Sequence, residues 1–412
     1  MTSASLRVTA TAAVSDVGRR RANNEDCVLR LDHVPLLAVA DGMGGAEAGE
    51  VASATAIARL AGSSAEIADR VRAARDEAGL AELRACVERA FHDAHRDIIA
   101  VAEARGTPGM GTTLVVATIL SDRAVVWHVG DSRAYVLRQG TLYPLTADHS
   151  VAMLRYRRGE ISEEEVRTHP DQHRLYQAVG CGPSLDVDIS EVELADGDVL
   201  LLCSDGLSGP LTDARIASVL KEHEDAGAAG RALVDAANAA GGPDNVSVVL
   251  ATMAGERSSA RVDARAGALR ASVLMRGLSD ADIAVVAPYL TDATVATGEV
   301  LVREGDPADP FYVVLEGRVR VTRGGVLLTD IAPGGHLGEL GLATRSVRSA
   351  TATALEPTHL AVLWRADFER LVLRRPAIAS RLCLALLDTV GTRLRDVTAR
   401  LDAVVRAATG TP

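Results

Sequence analysis

Aromatic residues are scarce: Phe, Trp and Tyr together supply 3% of the 412 residues. The cores must therefore be filled by Ala, Val and Leu. Five cysteines (Cys27, Cys86, Cys181, Cys203 and Cys383) form no CxxC pair, and their neighbours are mostly apolar. An odd, widely spaced set argues against a disulfide-stapled secreted module and for buried, reduced thiols in the cytosol. The ten histidines show neither HxH nor HExxH spacing, so most are expected to be surface or core residues. No run of 18 apolar residues occurs, so no helix is expected to cross a membrane. The opening "MTSASLRVTATAAV" lacks the basic stretch and long apolar core of a signal peptide. A soluble, cytoplasmic protein is expected. The basic surplus that nucleic-acid binding demands is also missing, since the formal net charge is −11.

The remaining composition, 48% apolar and 24% charged, is that of an ordinary globular protein, and the length suits two or three domains. Residues 1–252 alternate strand-like and helix-like stretches. "HVPLLAVAD", "GTTLVVATILS", "RAVVWHVGD", "SRAYVLRQG", "GDVLLLCSD" and "NVSVVLATM" read as strands bounded by Gly, Asp or Asn. "EAGEVASATAIARLAG", "LAELRACVERAFHDAHRDIIAVAEA", "DARIASVLKEH" and "AGRALVDAANAAGG" carry the helical period. Short turns such as "RQG" pair strands directly, which predicts an α+β layered domain of antiparallel sheets with helices outside them. Residues 253–271 are small and charged without periodicity and read as a linker. From 272 to 412 the pattern changes to short Val-rich strands broken by Gly, the mark of a small β-roll, and then to a closing helix near 377–406.

Acids recur where apolar runs stop: Glu25 and Asp26 in "NNED", Asp41 in "LLAVADGMGG", Asp131 in "GDSR", Asp205 in "SDGL" and Asp244 in "PDN". One Asp-Gly alone is a turn. Several carboxylates gathered by a sheet sandwich need a compensating cation. Oxygen ligands without convergent Cys or His suit Mg²⁺ or Mn²⁺. Gly42 leaves the backbone bare enough for its carbonyl to approach such an ion. Arg21, four residues before Glu25, offers a fork for phosphate oxygens.

Seven segments, "SDVGRRRANNEDCV", "VADGMGGAEAGEVAS", "GMGTTLVVA", "HVGDSRAY", "LTADHS", "LLLCSDGLS" and "GPDNVSVVL", resemble in this order the motifs of the type 2C metal-dependent protein phosphatases, over roughly residues 6–252. The resemblance implies a β-sandwich flanked by helices and hydrolysis of phosphoserine and phosphothreonine in proteins, with two or three Mg²⁺ or Mn²⁺ ions. It implies that Asp41 bridges two metals and Gly42 offers its carbonyl. Asp205 and Asp244 complete one site, Glu25 lies near the other, Asp131 holds a third ion, and Arg21 binds phosphate. Some members carry His two residues after the bridging Asp. Here that position is Met43, so protonation of the leaving group is unassigned. The charged stretch 151–180 resembles the family's mobile flap and reads equally as a charged surface helix.

In the second domain, "GELGLATRSVRSATA" is similar to the phosphate-binding cassette of cyclic-nucleotide-binding domains, and the resemblance spans about 272–405. It implies that Glu339 binds the ribose 2′-hydroxyl and that Arg348 and Ser349 bind the cyclic phosphate of cAMP or cGMP. Backbone N–H groups at Gly338–Leu340 suit the same anion. No helix-turn-helix follows. The last helix carries an apolar stripe at Ile378, Leu382, Leu386, Val390, Leu394, Val397 and Leu401. That stripe suits packing on its own roll, a lid over nucleotide, or a homodimer. The expectation is a phosphatase acting on substrates of serine/threonine kinases and regulated by cyclic nucleotide. The alternative is a catalytically inactive scaffold of the same fold, which intact Asp41, Asp205 and Asp244 disfavour.

Overall fold

The computed structural model describes residues 6–32, 34–45, 47–121, 123–255, 267–343 and 347–409. Most of the expected linker 253–271 (residues 256–266) lies outside the described residues. The chain divides into two units, Met1–Val262 with Asp280–Ala287, and Asp263–Ser279 with Pro288–Pro412. Residues 280–287, which the sequence reading assigns to the second domain, thus group with the first unit.

The first unit is built on two antiparallel sheets. One runs β1 (Arg7–Asp16), β11 (Val246–Ala254), β10 (Val199–Cys203), β7 (Arg133–Arg138), β8 (Thr141–Pro144). The other runs β2 (Asp26–Leu31), β3 (Leu36–Met43), β5 (Leu114–Ile119), β6 (Arg123–Val129), β9 (Asp188–Glu193), with the short β4 (Gly111–Thr112) on the end of β3. Strand alternation decides the layers. Leu37 and Val39 of β3 point inward, with Val115 and Ala117 of β5, to meet Leu200 and Leu202 of β10 and Val249 of β11 between the sheets. Leu36, Ala38 and Ala40 point the other way, onto α1 (Ala48–Gly62), α2 (Ser64–Ala73) and α3 (Glu77–Arg105). Leu201 and Cys203 of β10 face α7 (Asp213–Glu222) and α8 (Ala226–Ala239), which follow the single-turn α6 (Asp205–Ser208). A one-residue slip in any of these strands would trade one core for another. The flap-like stretch holds α4 (Val151–Arg157) and α5 (Glu163–Val166), and the post-linker helix α9 (Asp280–Val286) packs against β9 and β8.

The second unit stacks two four-stranded antiparallel sheets. The first comprises β12 (Thr291–Val295), β19 (Thr358–Leu363), β14 (Phe311–Glu316) and β17 (His336–Leu337). The second comprises β13 (Val300–Val302), β18 (Thr351–Ala354), β15 (Val319–Arg323) and β16 (Val326–Ile331). Val314, Leu360, Val362, Val319 and Ala352 fill the space between. Helix α10 (Glu339–Ala343) lies between β17 and β18 in the chain, and α11 (Arg365–Arg374) precedes the closing α12 (Pro376–Thr409). Ile378, Leu382 and Leu386 of α12 are buried, as packing on its own unit requires. The side chains of Leu394, Val397 and Leu401 lie outside the described residues. All five cysteines are free thiols. Only Cys86 and Cys203 are buried, and the other three are half-buried.

Candidate active site

The acids converge because both sheets end on the same side. Asp41 lies near the end of β3, and antiparallel pairing sets it directly opposite Asp26, the first residue of β2. Asp205 opens α6 straight after β10, and Asp244 stands just before β11. Asp131 sits in the turn from β6 to β7. The backbone of Asp41 is held from both sides: its N–H donates to Thr113 Oγ1 (3.0 Å), and its carbonyl accepts from Thr112 Oγ1 (2.9 Å). This is the structural work of the "GMGTT" segment.

Gly42 has a second reason to be bare. A Cβ there would stand 2.0 Å from the Gly49 carbonyl oxygen and 2.8 Å from that of Glu25. Glycine is what lets β3, α1 and the Glu25 loop meet. That loop is clamped by Asn245, whose Oδ1 accepts from Glu25 N–H (2.8 Å) while Nδ2 donates to the carbonyls of Val17 and Asn23 (both 2.9 Å). Arg21 is thereby delivered to Asp244, with Nη2 2.7 Å from Oδ2.

The electrostatics show how crowded the acids are. Burial, reinforced by the charges of Asp26, Asp205, Asp131 and Asp244, pushes the Asp41 carboxyl well above its ordinary value. Burial likewise raises Asp131, with Asp205 and Asp148 adding to it. Asp26 is pushed up to about 7 by burial, although the Ser204 hydroxyl donates to it (2.8 Å). Its Oδ1 is buried without a hydrogen-bond partner among the described residues. Gathered carboxylates raised in this way, one with an orphaned oxygen, fit a hard divalent cation.

One contributor escaped the sequence reading, and another gained its place in the cluster only from the strand register. Asp26 was noted there as an acid, but only the strand register makes it face Asp41. His173 carried no motif; it comes from the charged stretch 151–180. Its Nδ1 lies 3.7 Å from Asp205 Oδ2, and His173, Asp131 and Asp205 each place a ligand atom within 4.8 Å of the others. The stretch is tied at both ends, by Val151 N–H to Arg174 O (2.8 Å), Tyr176 N–H to His149 O (2.9 Å) and a reciprocal pair between Val179 and Thr112 (2.9 Å). The "GDSR" and "TADHS" segments also explain each other: Arg133 grips Asp148 with two bonds of 2.8 and 2.7 Å.

In the second unit Gly338, Glu339 and Arg348 come together. Glu339 and Arg348 are buried. Arg348 Nη2 donates to the Pro310 carbonyl (2.7 Å), its guanidinium lies 5.6 Å over the Tyr312 ring, and its buried Nε has no hydrogen-bond partner among the described residues. At Gly338 (φ +90°) a Cβ would meet Arg348 Nη1 at 2.4 Å, so only glycine lets the guanidinium lie there. Ser349 is exposed. The side chain of Leu340 and residues 344–346 lie outside the described residues.

A sandwich of two sheets between helices, with carboxylates gathered at one edge beside an arginine, has the donor set that a hydrolase of phosphate esters using divalent cations needs. Comparison with known proteins agrees. The profile of the Protein phosphatase 2C family matches residues 18–241, and that of the Cyclic nucleotide-binding domain matches residues 293–375. The chain is 35% identical over 240 residues to the serine/threonine phosphatase stp of Listeria welshimeri, covering 57% of this chain and 92% of that one. It is 41% identical over 241 residues to the serine/threonine protein phosphatase PstP of Mycobacterium tuberculosis, covering 58% of this chain and 44% of that one. Among solved structures, the catalytic domain of PstP in complex with 2 manganese ions superposes with a TM-score of 0.51 at 37% identity, over 61% of this chain and 100% of that one. The S. agalactiae serine/threonine phosphatase gives 0.53 at 31% identity, over 61% and 100%. The chain belongs to the protein phosphatase 2C family. It is a protein-serine/threonine phosphatase with a C-terminal cyclic nucleotide-binding domain.

Proposed function

We propose that this phosphatase is switched by cAMP or cGMP and that its hydrolytic centre is the carboxylate cluster around Asp41. The carrying observation is the convergence of Asp41, Asp26, Asp205, Asp131 and Asp244 at one sheet edge, with Arg21 on Asp244 at 2.7 Å. Asp41, the Gly42 carbonyl, Asp205 and Asp244 would hold two divalent cations, manganese as in PstP or magnesium, with Glu25 and Asp26 at their margin. Asp131, His173 and Asp205 would hold a third. Bound cations supply an activated water and neutralise phosphoryl charge.

The chain's own residues do the rest. The fork of Arg21 pairs with a carboxylate assigned to a cation. Held beside the cluster by Asp244, its guanidinium suits two phosphate oxygens of a phosphoserine or phosphothreonine. Thr112, Thr113 and Asn245 fix the backbone of Asp41 and Glu25, so the cluster needs no reorganisation as charge develops. In the second domain the orphaned Nε of Arg348 suits an exocyclic phosphate oxygen, and buried Glu339 suits a ribose hydroxyl. Substrates are phosphoproteins made by serine/threonine kinases.

The test is hydrolysis of a phosphothreonine peptide by the full chain. Excess chelator should abolish turnover and Mn²⁺ should restore it. Undiminished activity in chelator would sink the assignment.

A further inference from the structure

Helix α9 lies between the two family matches, after residue 241 and before residue 293. The first unit breaks off at Val262 and resumes for Asp280–Ala287. In this short return, Val285 and Val286 are buried, and so is one acid: Asp282 is 1% exposed. Its Oδ1 lies 3.5 Å from Nη2 of Arg157, whose side chain is 8% exposed. A carboxylate is costly to bury and tolerated when paired. Breaking such a pair by removing one partner leaves the other charge buried and is destabilising.

Arg157 is the last residue of α4, the helix that opens the flap stretch. From Arg157 the helix runs back to Val151, whose N–H is bonded to the Arg174 carbonyl, next to His173. His173 in turn stands beside Asp205. A continuous set of contacts joins Asp282, through Arg157, α4 and the 174–176 segment, to the cation cluster. We propose that α9 is a strap: docked, its Asp282–Arg157 pair holds the flap in the position that places His173 on the cluster; withdrawn, it frees the flap. The strap is a two-turn helix, Asp280–Val286, that joins the first unit apart from its continuous stretch, and short segments of this kind are the ones that open locally at low cost. Residue 293, where the nucleotide-domain match starts, follows the strap by seven residues. On the reading that cyclic nucleotide regulates the phosphatase, the ligand acts by favouring one of these two strap states.

Hydrogen–deuterium exchange on the full chain without nucleotide tests the strap alone. Asp282→Asn should speed exchange of residues 151–157 about 5–10-fold, and Arg157→Gln should do the same to residues 280–287. The double variant should exceed neither single by more than about twofold. Unchanged exchange at the partner segment, or effects that add, would overturn the strap. If Asp282→Asn does not fold, the Arg157→Gln arm decides alone. Nucleotide titration of activity then separates the regulatory reading. A wild type unmoved by saturating cAMP and cGMP refutes regulation and leaves the strap to the exchange result. A wild type that responds, beside an Asp282→Asn variant that binds nucleotide equally and responds the same, refutes the strap as its route.

Discussion

His128 sits at the end of β6 with its ring 4.7 Å from that of His149 and neither ring nitrogen hydrogen-bonded among the described residues. Burial, with the neighbouring His149 adding to it, pushes its pKa from 6.5 down to about 3. The sign follows from which state takes the proton. Between about 6.5 and 3 the unfolded chain binds it and the folded chain does not, so this contribution is full above 6.5 and is lost as the pH falls. From pH 7.5 to 5.0 the loss is about 2 kcal/mol. Urea denaturation should show the wild type losing that much more than His128→Leu over the interval; parallel losses would refute the assignment. Asp148 behaves in the same direction for a different cause. Burial would raise its pKa, but the Arg133 fork more than offsets it and holds the carboxyl below its ordinary value. Removing the carboxylate leaves the half-buried Arg133 guanidinium with only the Tyr135 hydroxyl (3.1 Å), so Asp148→Asn should cost about 1–3 kcal/mol in the same assay. At the cluster, Asp41→Asn should keep the fold and lower kcat/KM by several kcal/mol, on the order of 10²–10⁴-fold. A variant retaining more than a tenth of wild-type turnover would remove Asp41 from the centre.

Where β3 runs into α1, three pieces of chain meet at Gly42 with no room for a methyl group. Gly42→Ala must push the Gly49 or Glu25 carbonyl away, and overpacking of this kind typically costs about 1–3 kcal/mol. The expected outcome is a lowered melting temperature together with weakened Mn²⁺ binding by calorimetry; wild-type values in both would show that the junction has slack. The elements of the first unit were legible because both signals were strong: Val- and Leu-rich runs ending in Asp or Gly, and long helical periods. The same punctuation exposed Asp41, Asp131, Asp205 and Asp244. Asp26 stood among the gathered acids, but its position opposite Asp41 was not legible because it depends on the β2–β3 register, a long-range property. His173 was not legible because its neighbours are charged and its position comes from backbone ties to Ser150 and its surroundings. Helix α9 escaped because "DADIAVV" is short, and nothing local says that it returns to the first unit.

The two units carry separate chemistry: clustered carboxylates in one, a buried arginine and glutamate in the other. Arg348→Ala should weaken binding of cAMP or cGMP to the full chain by roughly 2–5 kcal/mol, because a buried phosphate loses its partner. Calorimetry that finds equal affinity in wild type and variant would move the phosphate elsewhere. Regulation further requires that nucleotide favour one conformation of the chain over another, and couplings of this type amount to about 1–3 kcal/mol. The most direct measurement of the central claim is therefore phosphopeptide hydrolysis by the full chain at saturating Mn²⁺, titrated with cAMP and with cGMP, beside Arg348→Ala. The account predicts a several-fold change in kcat/KM with one of the two nucleotides, absent in the variant. Activity that stays constant up to millimolar concentrations of both, in a chain that hydrolyses the peptide, would contradict it.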